Sequence, residues 1–339
     1  YSSAASDVYK RQFGGIELDA ELDSQRLSGR ISDRDEALRL LLSVSGTLTE
    51  REQRIGLSGS VFGFDLAALG VSPEPIGGSF ALDASASAAG KGAYAARIAL
   101  DSIEIRNKHR TDRIRPTSVS LHTDSAATRA EAASGDLSLT FSTPQSADSL
   151  IAALTRSARA LAGQIDAQSI DMEQLKPALP DFALRVSAGP DNILNSLLKS
   201  RKIAFDALNA EGANCDSLPV SIRLRTEGLA YGNVVLDTVT ADIRQNGKRL
   251  EYALGLANTP GNLDNIARAG LYGHLVRNTG QANLYQRNRA GREGFRFGLD
   301  VTWTDSLVRA SVTPPDPLFG FEPWTVNRGN YLAYRFDKR

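Results

Sequence analysis

Along most of this chain apolar and polar residues alternate with a period of two. That period restricts the fold to strands with one dry face and one wet face, because successive strand side chains point to opposite sides of a sheet. Ile16, Leu18, Ala20 and Leu22 alternate with Glu17, Asp19, Glu21 and Asp23. Phe80, Leu82, Ala84 and Ala86 alternate with Ala81, Asp83 and Ser85. The same rhythm runs through Leu137, Leu139 and Phe141, through Phe182, Leu184 and Val186, and through Val220, Ile222 and Leu224. It returns at Leu250, Tyr252, Leu254 and Leu256, and at Ala269, Leu271, Gly273 and Leu275. The longest run sets Phe295, Phe297, Leu299, Val301 and Trp303 against Arg296, Gly298, Asp300 and Thr302. Antiparallel sheets show such alternation; parallel sheets buried on both faces do not. Asn246-Gly247, Gly90-Lys91-Gly92 and Ser134-Gly135-Asp136 read as the connecting turns. About fifteen segments of this kind follow one another.

One stretch departs from the period. After Pro144, Ser146 is placed to cap a helix whose first turn holds Asp148, with Leu150, Ile151, Leu154, Ala158 and Leu161 on one face and Gly163 as its end. A shorter helix is expected from Ser169 to Leu175, stopping before Pro177, and a third from Asp191 to Lys199. The expected organisation is therefore strands over 13–145, a helical insertion with one β-segment over 146–200, and further strands over 201–339 that end in an aromatic segment, 318–336. Two segments resemble each other, Tyr94 to Arg106 and Tyr231 to Arg244, sharing Tyr, Leu-Asp-(Ser/Thr)-(Ile/Val) and a closing Arg.

The string Ser3 to Gln12 resembles a translated sequencing adapter, so residues 1–12 are read as non-native and set aside. The chain starts at Tyr1 and its one Met is Met172, which suggests a slice of a longer protein with cut sheet edges and poor solubility on its own.

Composition excludes several function classes. The 39 basic residues balance 39 acidic ones, against the basic surplus that phosphate neutralisation needs. One cysteine and three histidines do not suggest a zinc site, and no cofactor is expected. No metalloprotease, nucleophile-elbow, phosphate-loop or EF-hand motif occurs. Asp19, Glu21 and Asp23 could mimic a glycosidase pair, but every strand carries a wet face of this kind, so the chain is read as no enzyme. Arg106, Lys108, Arg110, Arg113 and Arg115 read as a solvated hairpin tip, with contact to anionic headgroups as the second reading. His122 and His274 fall at outward phase.

About fifteen strands spaced 4.8 Å apart would extend on the order of 70 Å, and a twisted sheet of that size curls, splits or closes. Two facing sheets would make a sandwich; one elongated, curled, largely antiparallel sheet would make a β-trough with an apolar inner face. The pattern alone fits both. Small inward residues (Ala20, Gly29, Ala84, Ala86, Gly273) leave volume unfilled and favour the trough. A sandwich or solenoid adhesin for glycan or protein would instead show aromatic platforms on its wet face, where Tyr272 and Tyr285 are candidates.

The Leu236-Asp237-Thr238 repeat, the charged hairpin after it and the strand Leu250 to Asn258 resemble the large envelope proteins of the TamB group, within the AsmA-like, bridge-type lipid-transfer class. The run Leu318 to Phe336 resembles a segment of the Bacteroidota versions, through Leu318-Phe319, Pro323-Trp324, Val326-Asn327 and Asn330-Tyr331. The resemblance covers most of 13–339. It implies a periplasmic conduit of a Gram-negative bacterium, anchored in the inner membrane in the full-length parent, that carries phospholipid between the membranes. It implies acyl chains as partners, and an outer-membrane barrel of the BamA/TamA type reached through a C-terminal part beyond this chain. The candidate lining residues are Leu18, Leu82, Leu139, Phe141, Leu184, Ile222, Leu254, Leu271, Phe295, Phe297, Leu299, Val301 and Trp303.

Overall fold

The computed structural model describes residues 15–90, 92–108, 110–199, 201–258, 267–313, 316–327 and 329–336. The suspected non-native residues 1–12, the turn residue Lys91 and His109 lie outside them. The described chain is mainly β, as the alternation predicts, with antiparallel strands and three helices. It divides into two compact units: residues up to Ser125 with Ala130–Gly135, and Ala126–Arg129 with the residues from Asp136 onward. In each unit the strands follow one another as a meander, and the described strands belong to one large antiparallel open sheet that does not close into a barrel.

The first unit contains β1 (Glu17–Asp23), β2 (Arg26–Arg34), β3 (Leu38–Leu48), β4 (Glu52–Asp65), β5 (Gly77–Ala89), β6 (Ala93–Arg106), β7 (Thr111–Ile114) and β8 (Thr117–Thr123). Each pairs with the next as far as β6, which takes both β7 and β8. The strand β9 (Thr128–Ser134) has residues in both units. The second unit continues with β10 (Leu137–Thr143), β11 (Phe182–Ala188), β12 (Ile203–Ala204), β13 (Ala207–Cys215), β14 (Leu218–Tyr231), β15 (Val234–Asn246) and β16 (Arg249–Ala257). It ends with β17 (Arg268–Val276), β18 (Thr279–Arg287), β19 (Glu293–Trp303), β20 (Leu307–Val312), β21 (Leu318–Phe319), β22 (Glu322–Pro323) and β23 (Tyr331–Arg335). These exceed the fifteen alternating segments in part because the two-residue strands β12, β21 and β22 are too short to alternate.

The hairpin between β15 and β16 forms one residue later than Asn246-Gly247 suggests. Asn246 pairs with Arg249, so the loop is Gly247-Lys248, with Gly247 at φ +57°. A two-residue hairpin with glycine first is the type II′ solution.

Three helices interrupt the second sheet: α1 (Ala147–Asp166), α2 (Met172–Leu175) and α3 (Ile193–Lys199). The Ser146 hydroxyl accepts from the Ser149 N–H, and Asp148 lies in the first turn, as expected. Gly163 does not end α1. The helix runs on to Asp166, and Gln168 takes the left-handed conformation at φ +50°. Ser169 N–H then bonds Gln164 O and Gln168 N–H bonds Ile165 O, which is a Schellman ending built without glycine. The second helix starts later than Ser169, since Asp171 caps it through Glu173 N–H. Pro177 does not stop the turn but sits in a short 3-10 continuation, Lys176–Ala178, where its missing N–H costs nothing.

The segment from Gln168 to Pro180 crosses the strand ends of the second sheet one after another. Gln168 O accepts from Trp303 Nε1 at 2.6 Å, at the end of β19. Ile170 bridges to Arg277 in the β17–β18 turn. Met172 N–H bonds Lys248 O in the β15–β16 turn. Lys176 Nζ reaches Leu218 O at 2.9 Å in the β13–β14 turn. Asn214 Nδ2 donates to Pro180 O at 2.9 Å. Overhead, α1 clamps the segment: Ser157 Oγ donates to Ala178 O at 2.6 Å, and the Gln164 amide exchanges two bonds with the Asp171 backbone. Met172, Leu175 and Val220 form the buried cluster beneath, with Ala160, Ile170, Leu179 and Leu250 packed on it.

At the opposite strand ends a polar cluster sets the start of α3. Asn192 Oδ1 caps the Asn195 N–H, and Asn192 Nδ2 donates to Asp136 Oδ1 at 2.6 Å. Asn195 is wholly buried, and its amide bonds Pro190 O, Phe205 O and the Phe205 N–H. Burial pushes the Asp136 carboxyl up, but bonds from the Asn192 side chain and the Asp191 and Gly189 backbone outweigh it and hold the group below the ordinary aspartate value.

Two outcomes follow from this cluster. Asn195→Ala strands the Phe205 backbone groups and should lower unfolding free energy by about 2–4 kcal/mol in urea titrations. A carboxyl depressed in the folded state adds stability above its unfolded pKa and loses it as pH falls through the folded value. Urea midpoints measured between about pH 5 and pH 2 should therefore fall, and Asp136→Asn should flatten that part of the slope.

Candidate functional site: the apolar sheet faces

Residues directly opposite in an antiparallel pair share a face. The register can therefore be followed from strand to strand. In the first unit Leu18 pairs with Ile31, Ile31 with Leu42, Leu42 with Gly59, Gly59 with Leu82 and Leu82 with Leu100. The parallel row runs Ala20, Gly29, Val44, Leu57, Ala84, Ile98 and Val119. Leu18 and Leu82, both candidate lining residues, thus stand in one apolar row.

The second unit repeats the arrangement. One row is Phe141, Leu184, Gly212, Ile222, Ile243, Tyr252, Gly273, Ala282, Leu299 and Val312. Its neighbour is Leu139, Val186, Ala210, Leu224, Ala241, Leu254, Leu271, Leu284 and Phe297. Phe295, Val301 and Trp303 lie on the same face of β19. All eleven candidates of this unit therefore share one face. Ile31, Leu42 and Leu57, and Val186, Leu224, Ile243 and Leu284, belong to these faces as well. Their strands also alternate, so the same period would have found them.

Among the described residues nothing in either unit covers these faces fully. Ile98 is 48% exposed and Leu254 44%, values far from those of a filled double layer. The insertion covers one end only, at Val220 and Leu250, and Trp303 is tied to it through Gln168. Gly273 does not leave the empty volume expected of it. At Gly273 a Cβ would strike Gln281 O and stand 2.8 Å from Tyr252 Oη, because that phenol lies across the glycine and donates to Gln281 O at 2.9 Å. Burial pushes the Tyr252 phenol up, so the side chain stays neutral on the dry face. The Phe182 ring fills above Gly212, and Trp303 leans over Gly280.

The C-terminal aromatics extend the second face. Phe319 pairs with Phe295 and packs against Phe295, Phe297 and Trp324 at centroid distances of 5.3, 6.0 and 5.9 Å. Trp324 meets Phe319 edge-on but remains 60% exposed. In β23, Leu332 and Tyr334 continue the rows through Ala310 and Val308.

The opposite faces are polar. Glu21, Ser28, Ser45, Gly56, Ser85, Arg97 and Ser120 make one row of the first unit. In the second, Arg185, Glu211, Arg223 and Asp242 form a ladder across four strands, with spacings of 3.4, 4.0 and 3.8 Å. His122 and His274 fall on these faces, as their phase implies. In the basic cluster Arg110 meets Asp112 at 2.7 Å and Arg113 meets Glu104 at 3.1 Å, so two of its five cations have a carboxylate beside them. Among the described residues no three metal-binding side chains converge, and no helix is long and apolar enough to cross a membrane.

No protein-family model matches the chain, and comparison with curated proteins and with solved structures gave no match.

An open dry face makes an unusual mutational forecast. Ile98→Asp and Leu254→Asp should each change stability by less than about 1 kcal/mol, because water already reaches these side chains. Binding of a hydrophobic dye at neutral pH should fall in both. Unfolding of either variant would mean that the face is covered by a second layer.

Proposed function

We propose that the apolar faces form part of a lipid conduit, which shields acyl chains from water while phospholipid passes between two membranes. The observation that supports this reading most directly is the largely uncovered apolar row, carried through nine or ten strands of the second unit. Burial is worth about 0.8 kcal/mol per methylene, so a sixteen-carbon chain crossing water pays on the order of 12 kcal/mol. A surface apolar along its whole length removes most of that barrier without any chemical step. The resemblance of Leu236 to Asn258 and Leu318 to Phe336 to TamB-type envelope proteins points the same way, and with it come a periplasmic setting and an outer-membrane barrel as partner.

Transfer along such a face needs no specific residue, only continuity. Leu139, Leu254, Leu271, Leu284 and Phe297 form the stretch on which an acyl chain would lie. Phe295 and Phe319 thicken it near β21.

A photo-crosslinking residue at Leu254 or Phe297 should capture phospholipid in cells, whereas one at Ala253, on the opposite face, should not. Protein that stays lipid-free, with no adduct at Leu254 or Phe297, would falsify the conduit.

A further inference from the structure

We propose that the tip of the β14–β15 hairpin docks the second unit on a membrane surface bearing anionic phospholipid. The inference does not rest on the conduit reading: a chain that carries no lipid could dock in this way, and a conduit could work without it.

The tip departs from the wet-and-dry rule of the long strands. Tyr231 pairs with Val234 across a Gly232-Asn233 loop, and Ile203 of β12 pairs with Tyr231 on the other side. Ile203, Tyr231 and Val234 therefore form a row on one face. Ala204, Ala230 and Val235 form the row on the opposite face. Leu229 and Leu236 pair next along the hairpin. Both faces are apolar, so this end has no wet side. Other hairpins close on polar pairs, β1–β2 on Asp23 and Arg26 and β15–β16 on Asn246 and Arg249.

These apolar side chains are not packed away. Tyr231 is 68% exposed and Val234 47%, and Val235 is exposed as well. Leaving them in water is unfavourable. At the boundary between headgroups and acyl chains the apolar area is buried, and a tyrosine there keeps its hydroxyl among the headgroups.

The charge beside the tip selects the kind of surface. Helix α3 ends at Lys199, and the chain returns to the sheet through Arg201 and Lys202, all three exposed. Lys202 O accepts from the Gly232 N–H at 3.0 Å, which pins this basic turn to the hairpin loop. Among the described residues none of these three cations makes an ion pair. The carboxylates lie further in. Asp206 sits against Gly228, three residues short of Tyr231, and Asp237 is three residues past Val234. Glu227 is answered by Arg225 at 2.9 Å. The outer end is thus apolar on both faces and positive beside them. A bilayer with anionic headgroups presents the complement, phosphates outside and hydrocarbon beneath.

The test is flotation of the full chain with phosphatidylcholine vesicles, with and without phosphatidylglycerol. The chain should float with the anionic vesicles, bind the neutral ones weakly, and be released as salt rises. Lys199→Gln, Arg201→Gln and Lys202→Gln together should weaken binding by roughly tenfold or more. Tyr231→Ser with Val234→Ser should weaken it by roughly tenfold as well. Arg26→Gln, Arg30→Gln and Arg54→Gln, an equal loss of charge in the first unit, should leave it unchanged, with thermal melting showing every variant folded. Failure to float with anionic vesicles at low salt would overturn the proposal. So would an equal loss in the first-unit variant, which would mark the binding as diffuse charge. A dimer in light scattering that Tyr231→Ser and Val234→Ser disperse would assign the tip to a second copy instead. A chain that does not float yet captures lipid at Leu254 would sink the docking and leave the conduit standing.

Discussion

Everything in this protein depends on cross-strand pairing that keeps parity. A slip of one residue between two strands would turn a whole dry face to the wet side. The sheets avoid this by confining their register shifts to strand ends. In the first unit the shifts fall at Arg39/Leu40, Val61/Phe64 and Ser79/Ala81, near one end of β3, β4 and β5. In the second they fall at Ala213/Cys215 and Gln286/Arg287. Between these bulges the pairs run without interruption, so rows such as Leu82 to Leu100 or Leu254 to Leu271 are held in line by backbone hydrogen bonds. Side-chain packing then has little left to decide. This is how a face can remain apolar without a covering layer to select it.

The polar faces answer a different need. An open sheet cannot rely on a dry core to fix its strands side by side, and lateral ion pairs take over part of that work. The ladder from Arg185 through Glu211 and Arg223 to Asp242 ties β11, β13, β14 and β15 together with alternating signs, and Arg244 with Glu251 adds a rung at 2.9 Å between β15 and β16. Each pair is exposed and contributes little alone. Their alternation nevertheless penalises any register that would set like charges opposite one another.

The period of two made the class of fold and the phase of each face legible from sequence. All candidate lining residues fall on the predicted side within their units, because alternation and cross-strand pairing obey the same parity. What the sequence could not carry was anything set by contacts between distant segments. Gly163 looked like a helix end, yet the C-terminus of α1 is set by Gln168, whose carbonyl is held by Trp303 far along the chain. Gly273 looked like a vacancy, but Tyr252 from the neighbouring strand occupies it. Tyr272 and Tyr285 were visible as wet-face aromatics, but their ring contact at 6.2 Å comes only from the β17–β18 register. Asn192, Asn195 and Asp136 gave no local signal, since their bonds reach across more than fifty residues in one case.

The segment from Gln168 to Pro180 acts on the second sheet as a batten nailed across staves. It is fastened separately to β19, to the β17–β18, β15–β16 and β13–β14 turns, and to Asn214. Strands so fastened cannot fan apart or slide past one another at that end. At the other ends the fastening is shorter: the Gly232 N–H in the β14–β15 turn bonds Lys202 O, and Ile203 and Ala204 of β12 pair with Tyr231 and Ala230. Among the described residues the strand array is thus held by a long crosspiece along one end and by a short one, at β14, along the other.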